Sequence, residues 1–125
     1  RPGVTDLLTA AKARGQRLAI ATTTSHGNID ALLSRALGMR WAADFDAIVA
    51  GDDVRHKKPA PDVYLEVLAR LKMEPFDCVA IEDSANGLIA ASRANIPALI
   101  TRSMFFRDDD LGAARLVLDD LSGLR

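Results

Sequence analysis

The sequence predicts an α/β domain with a mostly parallel sheet flanked by helices. Three observations carry that expectation. Short apolar runs alternate with stretches whose apolar residues recur at helical spacing. The runs are nearly continuous, as in strands buried on both faces. Hydroxyl, acidic and basic residues follow the runs directly. In open parallel sheets that is where ligands bind, beyond the carboxyl ends of the strands.

The elements follow in order. The chain starts Arg1-Pro2-Gly3, without Met, and runs at once into a helical pattern. Val4, Leu7, Leu8 and Ala11 mark one helix face, and Gly15 ends it. Leu18 to Ala21 reads as the first strand. Ile29, Leu32, Leu33, Ala36 and Leu37 form the next helix face, stopped by Gly38. Phe45 to Ala50 reads as a second strand. Pro61 suits the first turn of a third helix, whose face is Val63, Tyr64, Val67, Leu68 and Leu71. Cys78 to Ile81 is a third strand. Ser84 can cap the helix carrying Leu88, Ile89 and Ala91. Ile96 to Ile100 is a fourth strand, Arg115 to Leu118 a short fifth, and Leu121 to Leu124 a last turn. There is no internal repeat and no low-complexity linker. Thr101 to Asp110 is the least structured stretch.

Bulk properties narrow the function classes. The 125 residues fit one domain, and an apolar content of 49% argues against disorder. The net charge of -1, with no basic stripe, gives no electrostatic case for nucleic acid or an anionic membrane. No apolar stretch reaches the roughly 18 residues of a membrane span. No secretory leader is visible, so the default compartment is the cytoplasm. One cysteine, Cys78, excludes an internal disulfide framework and reads as a buried thiol. Two histidines and one cysteine make no zinc cluster.

The residues after each strand should converge: Thr22-Thr23-Thr24-Ser25, Asp52-Asp53, Glu82-Asp83-Ser84 and Thr101-Arg102-Ser103. Thr22 can donate to a phosphoryl oxygen, and Thr23 and Ser25 beside it are further phosphate candidates. The start of the next helix adds backbone donors. The plain alternative is helix capping, although four hydroxyls exceed what one cap requires. Lys58 precedes Pro59, which pushes its backbone out of the helical region. An ammonium fixed there can neutralise a carboxylate nucleophile and a transferring phosphoryl group. The alternative is a solvent-facing turn lysine, the role expected of Lys57. Glu82 and Asp83 end a strand and repel each other unless a cation lies between them. Mg²⁺ suits such oxygens, with Asp83 the better ligand and Glu82 a helper to the metal or to Lys58. Capping by Asp83 and Ser84 is the competing reading. Asn86 and Gly87 lie in the following first turn, with Asn86 a candidate substrate contact. Gly87 there costs the helix about 0.5–1 kcal/mol against alanine. Either close backbone approach to the site or helix–sheet packing would account for it. Asp52-Asp53 could orient Lys57 or the loop backbone. No apolar strand ends in an Asp-x-Asp pair.

These segments resemble the haloacid dehalogenase-like hydrolase superfamily, in the branch of beta-phosphoglucomutase and the CbbY-type phosphatases. The stretch from Arg17 to Ser25 is similar to the family's second motif, and Lys57 to Tyr64 to its third. Ala80 to Leu88 is similar to its fourth, and Pro2-Gly3-Val4 to the return from the cap domain. The triple threonine, the doubled lysine and Glu82-Asp83-Ser84 followed by Asn86-Gly87 look CbbY-like. The resemblance implies a Rossmann-like core and a Mg²⁺-dependent phosphatase of a small phosphorylated sugar, xylulose-1,5-bisphosphate, linked to carbon fixation. It gives Thr22 the phosphoryl group, Lys58 the nucleophile and phosphoryl charge, and Asp83 the metal, with Glu82 helping. It also implies an aspartate nucleophile, a second aspartate as acid and base, and a helical cap. The chain carries no Asp-x-Asp-Gly-Thr motif. On that comparison residues 1–125 are a partial core, and the absent first strand belongs in the middle of the sheet, between the strands at Leu18 and Cys78. Exposed apolar faces and unpaired backbone should result, with a native sheet that this portion does not hold alone. The alternatives are a beta-phosphoglucomutase-like mutase and a non-catalytic fragment of the same fold. A receiver-like signalling domain fits the motif order poorly. Asn95 stands where relatives carry glycine, so it should take a left-handed backbone.

Overall fold

A computed structural model describes residues 4–101 and the strand at 116–118. Alternating helices and strands are present in the expected order: α1 (Val4–Ala13), β1 (Ala19–Ala21), α2 (His26–Leu37), β2 (Ala47–Val49), α3 (Asp62–Leu71), β3 (Ala80–Glu82), α4 (Ala85–Arg93), β4 (Ala98–Thr101) and β5 (Leu116–Leu118). Short 3₁₀ turns precede β2, follow it, and precede β3. The strands are shorter than the apolar runs that predict them, because a run continues past the point where its neighbour stops pairing. Phe45 and Ala50 flank β2 and pack with the core instead. The third strand lies two residues later than expected, so that Cys78 and Val79 precede it and Glu82 closes it. The turn expected at Leu121 to Leu124 lies outside the described residues.

Among the described residues all pairings are parallel. β1 pairs with β2 in one sheet, and β3, β4 and β5 form another in that order. Among the described residues no ladder joins β1 to β3, in agreement with the gap expected between them. Val79 is 62% exposed and Ile81 42%, which is the uncovered apolar surface such a gap predicts.

The main core lies on the other face. Ala47 and Val49 of β2 meet Val63, Tyr64, Val67, Leu68 and Leu71 of α3, together with Leu88, Ala90, Ala91, Ala98 and Ile100. Each fully buried Val, Leu or Ile contributes about 1.5–3 kcal/mol. A smaller cluster of Ile29, Trp41 and Ala50 takes Ile20 and Ile48 from the opposite face of the first sheet. Cys78 is only half-buried, because it lies ahead of the strand and not within it.

Helix ends carry the expected chemistry. Ser25 caps α2 through the Asn28 amide, and Ser84 caps α4 through the Gly87 amide. Pro61 is the residue before α3. At the far end of α3, Lys72 takes a left-handed backbone, φ 53°. The Arg17 guanidinium donates to the Leu71 carbonyl there, satisfying a group that helix ends leave open. Asn95 has φ 62°, the left-handed residue expected after α4.

Candidate functional site

The site is best built outward from Lys58. Its peptide bond to Pro59 is cis. The side chain turns inward, with 10% exposure, and its ammonium makes two bonds. One goes to the Ala21 carbonyl at 3.0 Å, the last residue of β1 and the neighbour of Thr22. The other goes to Glu82 Oε2 at 2.6 Å, at the end of β3. The Lys58 ammonium therefore brings two of the four expected segments together, those at Thr22 and Glu82, and spans the two sheets. Lys57, by contrast, is exposed, as expected.

Glu82 is itself buried, its side chain 7% exposed. A carboxylate taken out of water requires several donors. Lys58 is the first. Tyr64 is the second, its hydroxyl donating to the same Oε2. The Lys58 ammonium also lies 5.1 Å from the Tyr64 ring centroid, within cation–π range. Burial pushes the Tyr64 phenol far above its ordinary range, and the Glu82 charge adds to the effect, so the hydroxyl stays a donor. Oε1 of Glu82 lies against α4, where a Cβ added at Gly87 would overlap it. The glycine in that first turn thus accommodates the site carboxylate. The sequence left close approach and helix–sheet packing as alternatives; the neighbour is a side chain of the site.

The Thr22 hydroxyl is oriented by backbone. Its oxygen accepts from the Thr24 amide at 3.2 Å, and the Thr22 amide donates to the Val49 carbonyl at 3.0 Å. A hydroxyl carries one proton and two acceptor pairs, so Thr22 retains its proton to donate. Thr24 accepts from the Asn28 amide group at 3.1 Å. Ser25 does serve as the helix cap, which is the plain reading of one member of the hydroxyl run. Thr23 is exposed beside it.

Asp83 is half-buried directly after β3, and Asn86 is exposed in the first turn of α4. Among the described residues no three His, Cys, Asp or Glu side chains form a metal cage. Mg²⁺ does not need one, since one or two carboxylates with water and phosphate oxygens complete its shell. Asp83 next to Glu82 fits that requirement. Asp52 is exposed, whereas Asp53 Oδ2 accepts from the Ala50 amide at 2.9 Å and pairs with His26 Nε2 at 2.6 Å. Of the fourth segment, Thr101 is buried and ends β4. Arg102 and Ser103, like Phe105 and Phe106, lie outside the described residues.

Comparison with known proteins then decides the family. A family description, haloacid dehalogenase-like hydrolase, matches residues 1–95. The chain belongs to that family. It is 50% identical to the plasmid-encoded protein CbbY of Cupriavidus necator over 97% of this chain and 48% of the relative. The structure of CbbY from Rhodobacter sphaeroides in complex with phosphate superposes with a TM-score of 0.92 at 41% identity, over 99% of this chain and 55% of that one. A mutant form of the same protein, in complex with xylulose-(1,5)bisphosphate, superposes equally well. The putative beta-phosphoglucomutase of Thermotoga maritima gives 0.81 at 34% identity, over 94% of this chain and 55% of that one. The chain spans about half the length of the curated relatives it matches. No helix among its described residues is long and apolar enough to cross a membrane.

Tyr64 reads in the sequence as part of an apolar helix face and as the end of the third-motif stretch, with no site role of its own. The available signal was that a buried tyrosine needs a partner for its hydroxyl. Gly51, two residues beyond β2, carries no marker in the sequence other than its residue type.

Proposed function

We propose that this chain forms most of the phosphoryl-transfer core of a phosphatase that removes one phosphate from a sugar bisphosphate, xylulose-1,5-bisphosphate in the leading case. The observation that carries this reading is the Lys58 ammonium, buried between the Ala21 carbonyl and Glu82. An exposed turn lysine has no use for such a position. The third donor of the ammonium remains for a substrate or nucleophile oxygen. The phosphate-bound and sugar-bisphosphate-bound CbbY structures support the substrate class.

In this reading Thr22 donates its hydroxyl proton to a phosphoryl oxygen. Lys58 neutralises charge on the transferring group, where removing water makes a fixed cation most effective. Glu82 holds Lys58 in place. Asp83, with Glu82 beside it, would hold Mg²⁺, which supplies further neutralisation of the phosphoryl oxygens. Thr23, Ser25 and Asn86 line the approach. The nucleophilic aspartate, its acid–base partner and the cap that selects the sugar belong to a segment outside this chain. That segment would add the strand between β1 and β3.

The complete protein, given xylulose-1,5-bisphosphate, should release inorganic phosphate only when Mg²⁺ is present. Asp83→Asn should abolish that release and leave the fold intact by circular dichroism. A product isomer that retains both phosphates would replace the phosphatase reading with the mutase one. Full release by Asp83→Asn would refute the metal assignment.

A further inference from the structure

The loop after β2 touches the Thr22 loop at several points, and none of the contacts involves a group assigned to chemistry. The Gly51 amide donates to the Thr24 carbonyl at 2.9 Å. The Gly51 Cα is packed against the Thr23 carbonyl so closely that an added Cβ would lie 2.8 Å from the carbonyl carbon and overlap its oxygen. Those are backbone atoms, which cannot swing aside as the end of a long side chain can. Asp53 then ties the two loops together from outside, accepting from the Ala50 amide and pairing with His26, the first residue of α2.

We propose that Gly51 is a positioning residue for phosphate binding, acting through the Thr23–Thr24 peptide, with Asp53 and His26 as its brace. The Thr23 carbonyl and the Thr24 N–H belong to one planar peptide unit. The Thr24 N–H is the group that donates to Thr22 Oγ1, which leaves the Thr22 proton available to another acceptor. A side chain at position 51 displaces the carbonyl, tilts the plane and releases the Thr22 hydroxyl from its orientation. The only residue type that permits the close approach without such a shift is glycine. The inference rests on the phosphoryl-binding role of Thr22 proposed above.

The test uses the complete protein with inorganic phosphate as a competitive inhibitor, measured for Gly51→Ala, Asp53→Asn, His26→Gln and Thr22→Val. Gly51→Ala should weaken phosphate inhibition about tenfold, the equivalent of one lost hydrogen bond. KM for the substrate should rise with it. Asp53→Asn and His26→Gln should each weaken inhibition by a smaller factor. A lowered melting temperature with phosphate inhibition unchanged in Gly51→Ala would overturn the proposal, since a purely structural glycine behaves that way. If Gly51→Ala does not fold, Asp53→Asn decides: unchanged phosphate inhibition overturns the brace and the proposal with it. Thr22→Val separates the two readings. If it leaves phosphate inhibition intact, the role of Thr22 fails. If it weakens inhibition and Gly51→Ala does not, only the present inference fails.

Discussion

On the β1 side of the candidate site, the Thr22 hydroxyl takes its direction from the Thr24 amide, and the loop around it is half-exposed. On the β3 side, Glu82 and Lys58 take theirs from each other and from Tyr64, with both charged side chains nearly closed to solvent. The two sides therefore stand differently toward stability. Water can replace a lost partner in the Thr22 loop. It cannot do so around Glu82, where an unpartnered carboxylate bears its full desolvation cost. Function and folding should be separable on the first side and entangled on the second.

The hardest test of that contrast compares the two neighbouring lysines. Lys58→Met removes the cation and leaves Glu82 buried with Tyr64 as its remaining donor. Breaking a buried pair in this manner costs about 3–5 kcal/mol. Lys57→Met should change stability by no more than about 0.5 kcal/mol, because its side chain is exposed. Urea midpoints of the two variants of the complete protein measure the difference. Equal midpoints would mean that the Lys58–Glu82 pair is open to solvent, and the contrast between the two sides would collapse.

The placement of Lys58, Glu82 and Asp83 is legible in the sequence because each stands at a place the chain marks by itself: before a proline, or after an apolar run. Thr22 was legible for the same reason. The left-handed turn at Asn95 was readable from residue type alone. Tyr64 was hidden because it falls within an apolar helical repeat, and periodicity counts a buried tyrosine as core without asking where its hydroxyl goes. Gly51 was hidden for a different reason. Its constraint is the Thr23 carbonyl, on a loop that only the pairing of β1 with β2 brings alongside. The missing ladder between β1 and β3 was foreseen only through the family resemblance. Nothing in the period of either strand says which neighbour it lacks.

A middle-sized effect sharpens the comparison with smaller changes. Tyr64→Phe keeps the ring and deletes one hydrogen bond to a buried charge, worth about 1.5–3 kcal/mol. Thr22→Val deletes a hydroxyl that bonds a single half-exposed amide, and should cost less than about 1 kcal/mol. Activity should order the pair in reverse: Thr22→Val should lose more turnover than Tyr64→Phe, since in the proposed function Thr22 meets the phosphoryl group and Tyr64 acts through Glu82. Parallel denaturation and phosphate-release assays on the complete protein read both orders. A Thr22→Val enzyme that is both less stable and more active than Tyr64→Phe would invert the assignment of the two sides.

The smallest expected effect is confined to the exposed side and depends on pH. The Ala50 amide, and after it His26, hold the Asp53 carboxyl below the usual carboxylate range. A depressed native pKa means that the unfolded chain binds the proton first, so folding gains stability from Asp53 above the unfolded value of about 3.9. The gain disappears as pH falls through the lower native pKa. Asp53→Asn has no carboxyl to titrate. The difference in melting temperature between the parent protein and Asp53→Asn should therefore be present at about pH 5 and shrink below about 4. A difference that grows below about pH 4 would mean that the Asp53 carboxyl is raised by burial, placing it in the same enclosed class as Glu82 and erasing the distinction between the two loops.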